Sequence, residues 1–100
     1  MAAPSVRLHP DAIAEAKAAY EWYSERNASA ANAFIAELDF AISQIQTDPK
    51  RWTMHLHGTR KFFFRRFPHA VIYRITDSVI QVIAVAHGRR RPGYSKRRRF

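Results

Sequence analysis

The fold is decided by the stretch AVIYRITDSVIQVIAVAH, which occupies residues 70–87. It consists of two runs rich in β-branched and aliphatic residues, 70–75 and 79–87, with Thr76-Asp77-Ser78 between them. Apolar runs joined by so tight a turn predict two neighbouring antiparallel strands. A hairpin this apolar needs at least one covered face, so a second layer of structure is expected.

Alternation along these strands predicts which side chains share a face. In the second strand the small alanines suit a face packed under helices, and that set is Ile80, Val82, Ala84 and Ala86. The open face would then carry Gln81, Ile83, Val85 and His87. In the first strand one face holds Ile72 and Arg74, and the other holds Val71, Tyr73 and Ile75. A shift of one residue would exchange these assignments.

Two helices are predicted upstream as the covering layer, joined by a turn short enough to make them an antiparallel hairpin. The first begins at Pro10-Asp11, and its apolar stripe is Ile13, Ala16, Tyr20 and Tyr23. Its glutamates Glu15, Glu21 and Glu25 are expected to face solvent. The second follows Ser29 as N-cap and ends at Asp48-Pro49. Its stripe is Ala31, Phe34, Ile35, Leu38, Ala41, Ile42 and Ile45.

The remaining segments complete an α+β fold of one domain, residues 1–100. Residues 5–9 alternate and predict an opening strand, residues 50–59 an irregular connection, and residues 61–65 a Phe-rich strand. The predicted order is β-α-α-β-β-β, a mainly antiparallel sheet with the helical hairpin packed on one face. Residues 88–100 lack an apolar period and predict a basic, loosely ordered C-terminal tail.

Charge is segregated along the chain, which has a net charge of +9. Residues 1–59 contain five Lys or Arg and seven acids, whereas residues 60–100 contain twelve Lys or Arg and Asp77 alone. Such a distribution favours an anionic partner: a phosphate backbone, an acidic peptide or an anionic membrane. A membrane span is not expected, because the longest apolar run, residues 82–86, is far too short. With no cysteine and no signal-peptide pattern, a cytoplasmic protein is predicted.

The cationic half supplies the candidate site residues. RNA cleavage needs proton-transfer groups and cations that stabilise the phosphate transition state, and the candidates are His87, Arg65, Arg74 and Tyr94. The candidates for binding a target or partner are Arg60, Lys61, Arg65, Arg66, Arg74, His87, Arg89, Arg90 and Arg91. His87 can equally be a structural residue that ends its strand. One face of the sheet cannot bury all three rings of Phe62-Phe63-Phe64. We therefore expect one ring to pack against the helices and another to contact a partner.

No cofactor and no metal site are predicted. His55 and His57 have a spacing that can place two ligands on one strand face. They lie in a loop without nearby carboxylates or cysteines, so a metal site there is disfavoured.

Four segments carry a resemblance to a known family: AYEWY (19–23), IQTDP (45–49), RRFPHAVIYRI (65–75) and VIAVAHGRRRP (82–92). Together they make the chain similar, over nearly its whole length, to the ParE/RelE superfamily of toxins from bacterial type II toxin–antitoxin modules, which include plasmid stabilization systems. The tail departs from the pattern, because Tyr94-Ser95 stands where the family often has Tyr-Trp. The resemblance implies the same small α+β fold and a toxin–antitoxin hetero-oligomer with a small acidic antitoxin.

The superfamily also implies two mechanisms. ParE-like members inhibit DNA gyrase by binding, and RelE-like members are endoribonucleases that cleave mRNA on the ribosome. The strand exit His87-Gly-Arg-Arg-Arg-Pro92 and the absence of a clear acid–base pair favour a ParE-like toxin that arrests growth without catalysis. The RelE-like enzyme remains the alternative, so enzymatic activity is left open. A non-toxic basic module that binds nucleic acid is a third hypothesis.

Overall fold

A computed structural model describes residues 3–100 and shows the predicted α+β fold. The first two residues of the predicted domain lie outside this range. The elements are β1 (Ser5–Leu8), α1 (Pro10–Arg26), α2 (Ala28–Thr47), β2 (Thr53–Met54), β3 (Arg60–Phe63), β4 (His69–Thr76) and β5 (Val79–His87). The short strand β2 falls in the segment predicted to be irregular. A single 3-10 turn, Leu56–Gly58, separates it from β3.

The five strands form one sheet in the order β1-β5-β4-β3-β2. All neighbours are antiparallel except β1 and β5, which pair in parallel from Ser5 opposite Val79 to Leu8 opposite Val82. The β4–β5 turn is tight as predicted, because two residues join the strands. Asp77 takes a positive φ of 54° there, a conformation that Asp tolerates better than most residues.

The helices cover one face of the sheet as a hairpin with a one-residue connection. The N-cap of α2 is Asn27 rather than the predicted Ser29, because the Asn27 side chain accepts hydrogen bonds from the backbone N–H groups of Ser29 and Ala30. The predicted α2 stripe is confirmed: Ala31, Phe34, Leu38, Ala41 and Ile45 are buried and Ile35 and Ile42 pack against them.

The predicted stripe of α1 is wrong at two positions, since Ile13 is 53% exposed and Tyr20 is exposed as well. The packed residues of this helix are Ala12, Ala16, Ala19 and Tyr23. Alanines dominate this face, and α1 packs against β5 through it. The prediction relied on the larger apolar residues of the helix, and it therefore assigned the wrong face of α1 to the core.

A β-bulge in β5 exchanges the predicted faces halfway along the strand. Ile72 pairs with Ala84 and Tyr73 pairs with Val82, so Ile83 has no partner in β4. Before the bulge, Ile80 and Val82 face the helices as predicted. Beyond it the assignments reverse, because an extra residue inverts the alternation. Val85 joins the helical core, whereas Ala84 and Ala86 lie on the open face with Ile72.

Residues 88–100 lie against the open face through a series of tight turns. Backbone hydrogen bonds from Tyr94 to Arg91, from Lys96 to Gly93 and from Arg98 to Ser95 define these turns. The Tyr94 ring packs on Ile72, Ala84 and Ala86, and Ser95 is buried. The composition of residues 88–100 predicted a loosely ordered tail. Composition alone gives no indication of the contacts that these residues make with the sheet. No helix within residues 3–100 has the length and apolar character needed to cross a membrane.

Candidate functional site

A cleft opens at the end of the sheet where β3 and β5 finish and β4 begins. We call it the end cleft. Its charged, histidine and aromatic lining residues are His55, Lys61, Phe63, Phe64, Phe67, His69, His87, Arg90, Arg91 and Tyr94. No carboxylate of the described residues lines it, so its electrostatic character is cationic. Such a cleft attracts an anionic group.

The end cleft combines charge with an apolar lining and one exposed aromatic ring. Ile72, Ala86 and the Tyr94 ring contribute its apolar part. At the rim Phe63 is 59% exposed, and the Lys61 ammonium lies 5.3 Å from its ring centroid. Phe62 and Phe64 instead pack with the helical core, as expected for a run too long for one face. Arg90 of the cleft is 4.0 Å from Glu15 Oε2, whereas Lys61 forms no ion pair among the described residues. An exposed aromatic ring beside such an unpaired cation is typical of a surface that binds another molecule.

Two histidines face each other at the base of the end cleft. His69 and His87 are cross-strand partners, and their ring centroids are 5.1 Å apart. The His69 ring also contacts Phe34 of α2 at 5.0 Å, so this pair lies on the helix-facing side of the sheet. The prediction that His87 lies on the open face is therefore wrong, because the bulge at Ile83 inverts the alternation before His87.

In each imidazole of the pair, the Nδ1 atom is either hydrogen-bonded or buried. His87 Nδ1 accepts a hydrogen bond of 3.0 Å from the backbone N–H of Arg89. His69 Nδ1 is buried and lacks a hydrogen-bond partner among residues 3–100. Burial, with a smaller contribution from the charge of His87, lowers the pKa of His69 to about 4. His69 is therefore neutral at physiological pH.

The depressed pKa of His69 makes stability depend on pH. In the unfolded chain this imidazole becomes protonated below about pH 6.5, whereas in the folded protein it stays neutral down to about pH 4. The unfolded state then binds more protons, so the free energy of unfolding should fall as pH drops between these values. We expect His69 to account for about 1–2 kcal/mol of this loss, allowing for its partial exposure. Chemical denaturation across this range should show a shallower pH dependence of stability in His69→Gln than in the wild type.

A half-buried carboxylate of α1 fixes the tail that forms one wall of the cleft. Glu15 Oε1 accepts the Val85 backbone N–H at 3.1 Å, beyond the point where β1 stops covering this edge of β5. Glu15 Oε2 accepts the Tyr94 hydroxyl at 2.6 Å. Arg98 donates to both oxygens, at 2.7 and 3.1 Å, and to the Ile83 carbonyl at 3.0 Å. The Glu15–Arg98 pair thus occupies the free strand edge and attaches the tail to it.

The same contacts remove Tyr94 from the set of available proton donors. Burial and the hydrogen bond to Glu15 raise the pKa of Tyr94, and the bond to Glu15 raises the pKa of Arg98. The Tyr94 hydroxyl is committed to a carboxylate, and only its ring contributes to the cleft. Sequence reasoning assigned Glu15 to a solvent face, and that assignment is wrong.

A second acid missed by sequence reasoning holds the β3–β4 loop. Glu37 of α2 is buried, and its Oε1 accepts the backbone N–H groups of Arg65 and Arg66. Both arginines lie in a loop, so the prediction that the strand 61–65 includes Arg65 is wrong. The Arg65 guanidinium lies over the Phe40 ring. The sequence feature that could have indicated this role is the position of Glu37, a lone acid within the apolar stripe of α2.

The structure gathers only part of the predicted site into the end cleft: Lys61, His87, Arg90, Arg91 and Tyr94. Arg60 donates to the Trp52 carbonyl, and Arg65 and Arg66 flank Glu37. Arg74 bonds Gln81 on the open face, away from the cleft. Arg89 is exposed beside His87. Residues 3–100 bring together no group of three metal-ligating side chains.

Comparisons with known proteins agree with this architecture. The family described as "ParE toxin of type II toxin-antitoxin system, parDE" matches residues 6–92. The fold is similar to a chain from the chromosomal ParDE toxin–antitoxin system of P. aeruginosa (TM-score 0.74, 17% identity, 84% of this chain and 95% of that one). It is also similar to a chain of the RelBE2 toxin–antitoxin complex of Mycobacterium tuberculosis (TM-score 0.59, 21% identity, 86% and 99%). No curated protein matches the sequence significantly.

Proposed function

Because the chain belongs to the ParE toxin family of type II toxin–antitoxin systems, we propose that it arrests growth by binding DNA gyrase and not by cutting RNA. The end cleft is the surface that we assign to this binding. Lys61, Arg90 and Arg91 would supply charge, and the exposed Phe63 ring would supply apolar contact area.

The observation that carries this proposal is the exposed combination of cations and an aromatic ring in the end cleft, beside proton-transfer groups that are partly engaged in hydrogen bonds or buried. The Tyr94 hydroxyl is bonded to Glu15, and His87 Nδ1 is bonded to the Arg89 backbone. The unpartnered nitrogen of His69 is buried. General acid–base catalysis needs such groups within reach of a substrate, whereas binding needs only the cations and the ring.

The endoribonuclease alternative has one feature in its favour, the contact between His69 and His87. A neutral imidazole beside a second imidazole is a possible base and acid pair. We rank it second because the chain matches the ParE family and because the two predicted catalytic arginines, Arg65 and Arg74, are not brought to this pair. The cations that do line the cleft, Lys61, Arg90 and Arg91, would serve either mechanism.

A cognate antitoxin is the second proposed partner. Both similar structures come from toxin–antitoxin systems, which supports a hetero-oligomer. The end cleft has no carboxylate of its own among the described residues, so an acidic antitoxin segment would complement it and mask the cations. Both proposed partners place the protein in the cytoplasm.

Supercoiling by purified gyrase tests the proposal. The wild-type chain should inhibit supercoiling, and Lys61→Ser/Arg91→Ser should weaken inhibition at least about tenfold, since two charge-assisted contacts are lost. The matched control is Lys17→Ser/Lys50→Ser, which removes the same charge from exposed positions outside the cleft and should inhibit like wild type.

Two further measurements separate the alternatives. Induced expression without antitoxin should stop growth if either toxin mechanism holds, and normal growth at good expression would exclude both. Discrete new 5′ ends in primer extension on translated messages, together with unaffected gyrase, would replace the proposal by the endoribonuclease.

A further inference from the structure

A second cationic surface lies on the open face of the sheet, apart from the end cleft. Arg7, Gln81 and Arg74 form a row across β1, β5 and β4, because each pairs with the next in regular register before the bulge. The Arg74 Nε donates to Gln81 Oε1 at 2.7 Å, which fixes the direction of this guanidinium. Lys96, Arg97 and Arg99 of the tail line the same open groove as Arg74. We call these five cations the tail surface.

The tail surface is held in place rather than carried on a loose end. Arg98 is its inward anchor, with 14% of its side chain exposed and ion pairs to Glu15 at 2.7 Å and Asp11 at 3.6 Å. Its neighbours Arg97 and Arg99 are exposed. At the chain end the Phe100 ring contacts the His9 ring at 5.3 Å and lies 5.7 Å from the Arg74 guanidinium. Arg98 therefore holds the tail in place, while the charged side chains of its neighbours Arg97 and Arg99 remain exposed to solvent.

Nothing within residues 3–100 neutralises this surface. None of Arg7, Arg74, Lys96, Arg97 and Arg99 forms an ion pair with a carboxylate. Five cations without a carboxylate partner match the regularly spaced phosphates of a nucleic-acid duplex. The Arg74 guanidinium, fixed by Gln81, would in addition lose little side-chain entropy on binding.

We propose that the tail surface binds the phosphate backbone of a double-stranded nucleic acid, without reading its sequence. A single strand is disfavoured because such sites stack bases on successive aromatic rings. Of the described residues that line the groove, only Phe100 is aromatic, and its ring is already engaged by His9. Contacts from Arg and Lys to phosphates position a protein on a duplex but do not select a base sequence.

Fluorescence anisotropy with a short labelled DNA duplex of mixed sequence tests this proposal over a series of salt concentrations. Arg97→Ser/Arg99→Ser keeps the Arg98 anchor and removes two outward charges. Because each phosphate contact contributes about 0.9 to the salt slope, the slope should fall by about 1.5–2 in this variant. Lys17→Ser/Lys50→Ser is matched in charge, lies outside the groove, and should keep the wild-type slope.

Three results would overturn the proposal. An equal fall in slope for both variants would mean that net charge, and not this surface, causes the binding. Equal affinity for a labelled poly-glutamate peptide would assign the surface to an acidic polypeptide. Tighter binding to single-stranded than to duplex probes would exclude duplex recognition. An RNA duplex in parallel shows which backbone is preferred. The assay contains no gyrase, so its outcome is independent of the proposed toxin mechanism.

Discussion

Replacing Glu15 with Ala is expected to lower the free energy of unfolding by about 3 kcal/mol and to release the C-terminal tail. The carboxylate is 15% exposed and accepts hydrogen bonds from Val85, Tyr94 and Arg98. Its removal leaves the Arg98 guanidinium half-buried without its main partner and the Val85 N–H unbonded, both of which are costly in a partly dry environment. Denaturant titration measures the first effect.

Release of the tail has its own signatures. Amide exchange at residues 94–98 should accelerate. The pKa of Tyr94 should return towards the ordinary tyrosine value, because release of the tail relieves its burial and the hydrogen bond to Glu15 is lost. Glu21→Ala is the matched control: this carboxylate of the same helix is 60% exposed and 4.0 Å from Lys17, so its loss should cost under about 0.5 kcal/mol. Unchanged exchange at residues 94–98 in Glu15→Ala would show that the carboxylate does not hold the tail.

Much of the fold was predictable because its signals are local. The apolar stripe of α2, from Ala31 to Ile45, repeats at helical spacing. The β4–β5 turn is indicated by three consecutive residues, Thr76-Asp77-Ser78. The bulge at Ile83 was not predictable, since a run of Val, Ile and Ala is compatible with either face. The parallel pairing of β1 with β5 depends on residues more than seventy positions apart and leaves no local pattern.

The candidate site was less predictable for the same physical reason. Segregated charge identified the cationic half, and Lys61, Arg90 and Arg91 do line the end cleft. The acids that arrange this half were hidden, because Glu15 resembles any solvent-facing helix residue until Tyr94 and Arg98 approach it across the tertiary structure. A carboxylate can be buried where hydrogen-bond donors from distant parts of the chain satisfy it. Helical periodicity carries no information about those donors.

Truncation of Phe34 to Ala should be the most damaging change in the core, lowering the free energy of unfolding by about 3–5 kcal/mol. Its side chain is 0% exposed, and its ring contacts those of Tyr23, Phe64 and His69 at 5.6, 5.3 and 5.0 Å. These partners lie in α1, directly after β3 and in β4, so a cavity at Phe34 loosens the packing of the helices on the sheet.

The same cavity should be felt in the end cleft. Water entering beside His69 would relieve the burial that depresses its pKa, so NMR titration of Phe34→Leu should show this pKa shifted upward from about 4. Leu keeps most of the volume, so the protein stays folded at a cost of about 1–1.5 kcal/mol. Phe40→Ala removes a 40% exposed ring from the same helix and should leave the His69 titration unchanged. A His69 pKa equal in wild type and Phe34→Leu would mean that Phe34 does not keep water from this imidazole.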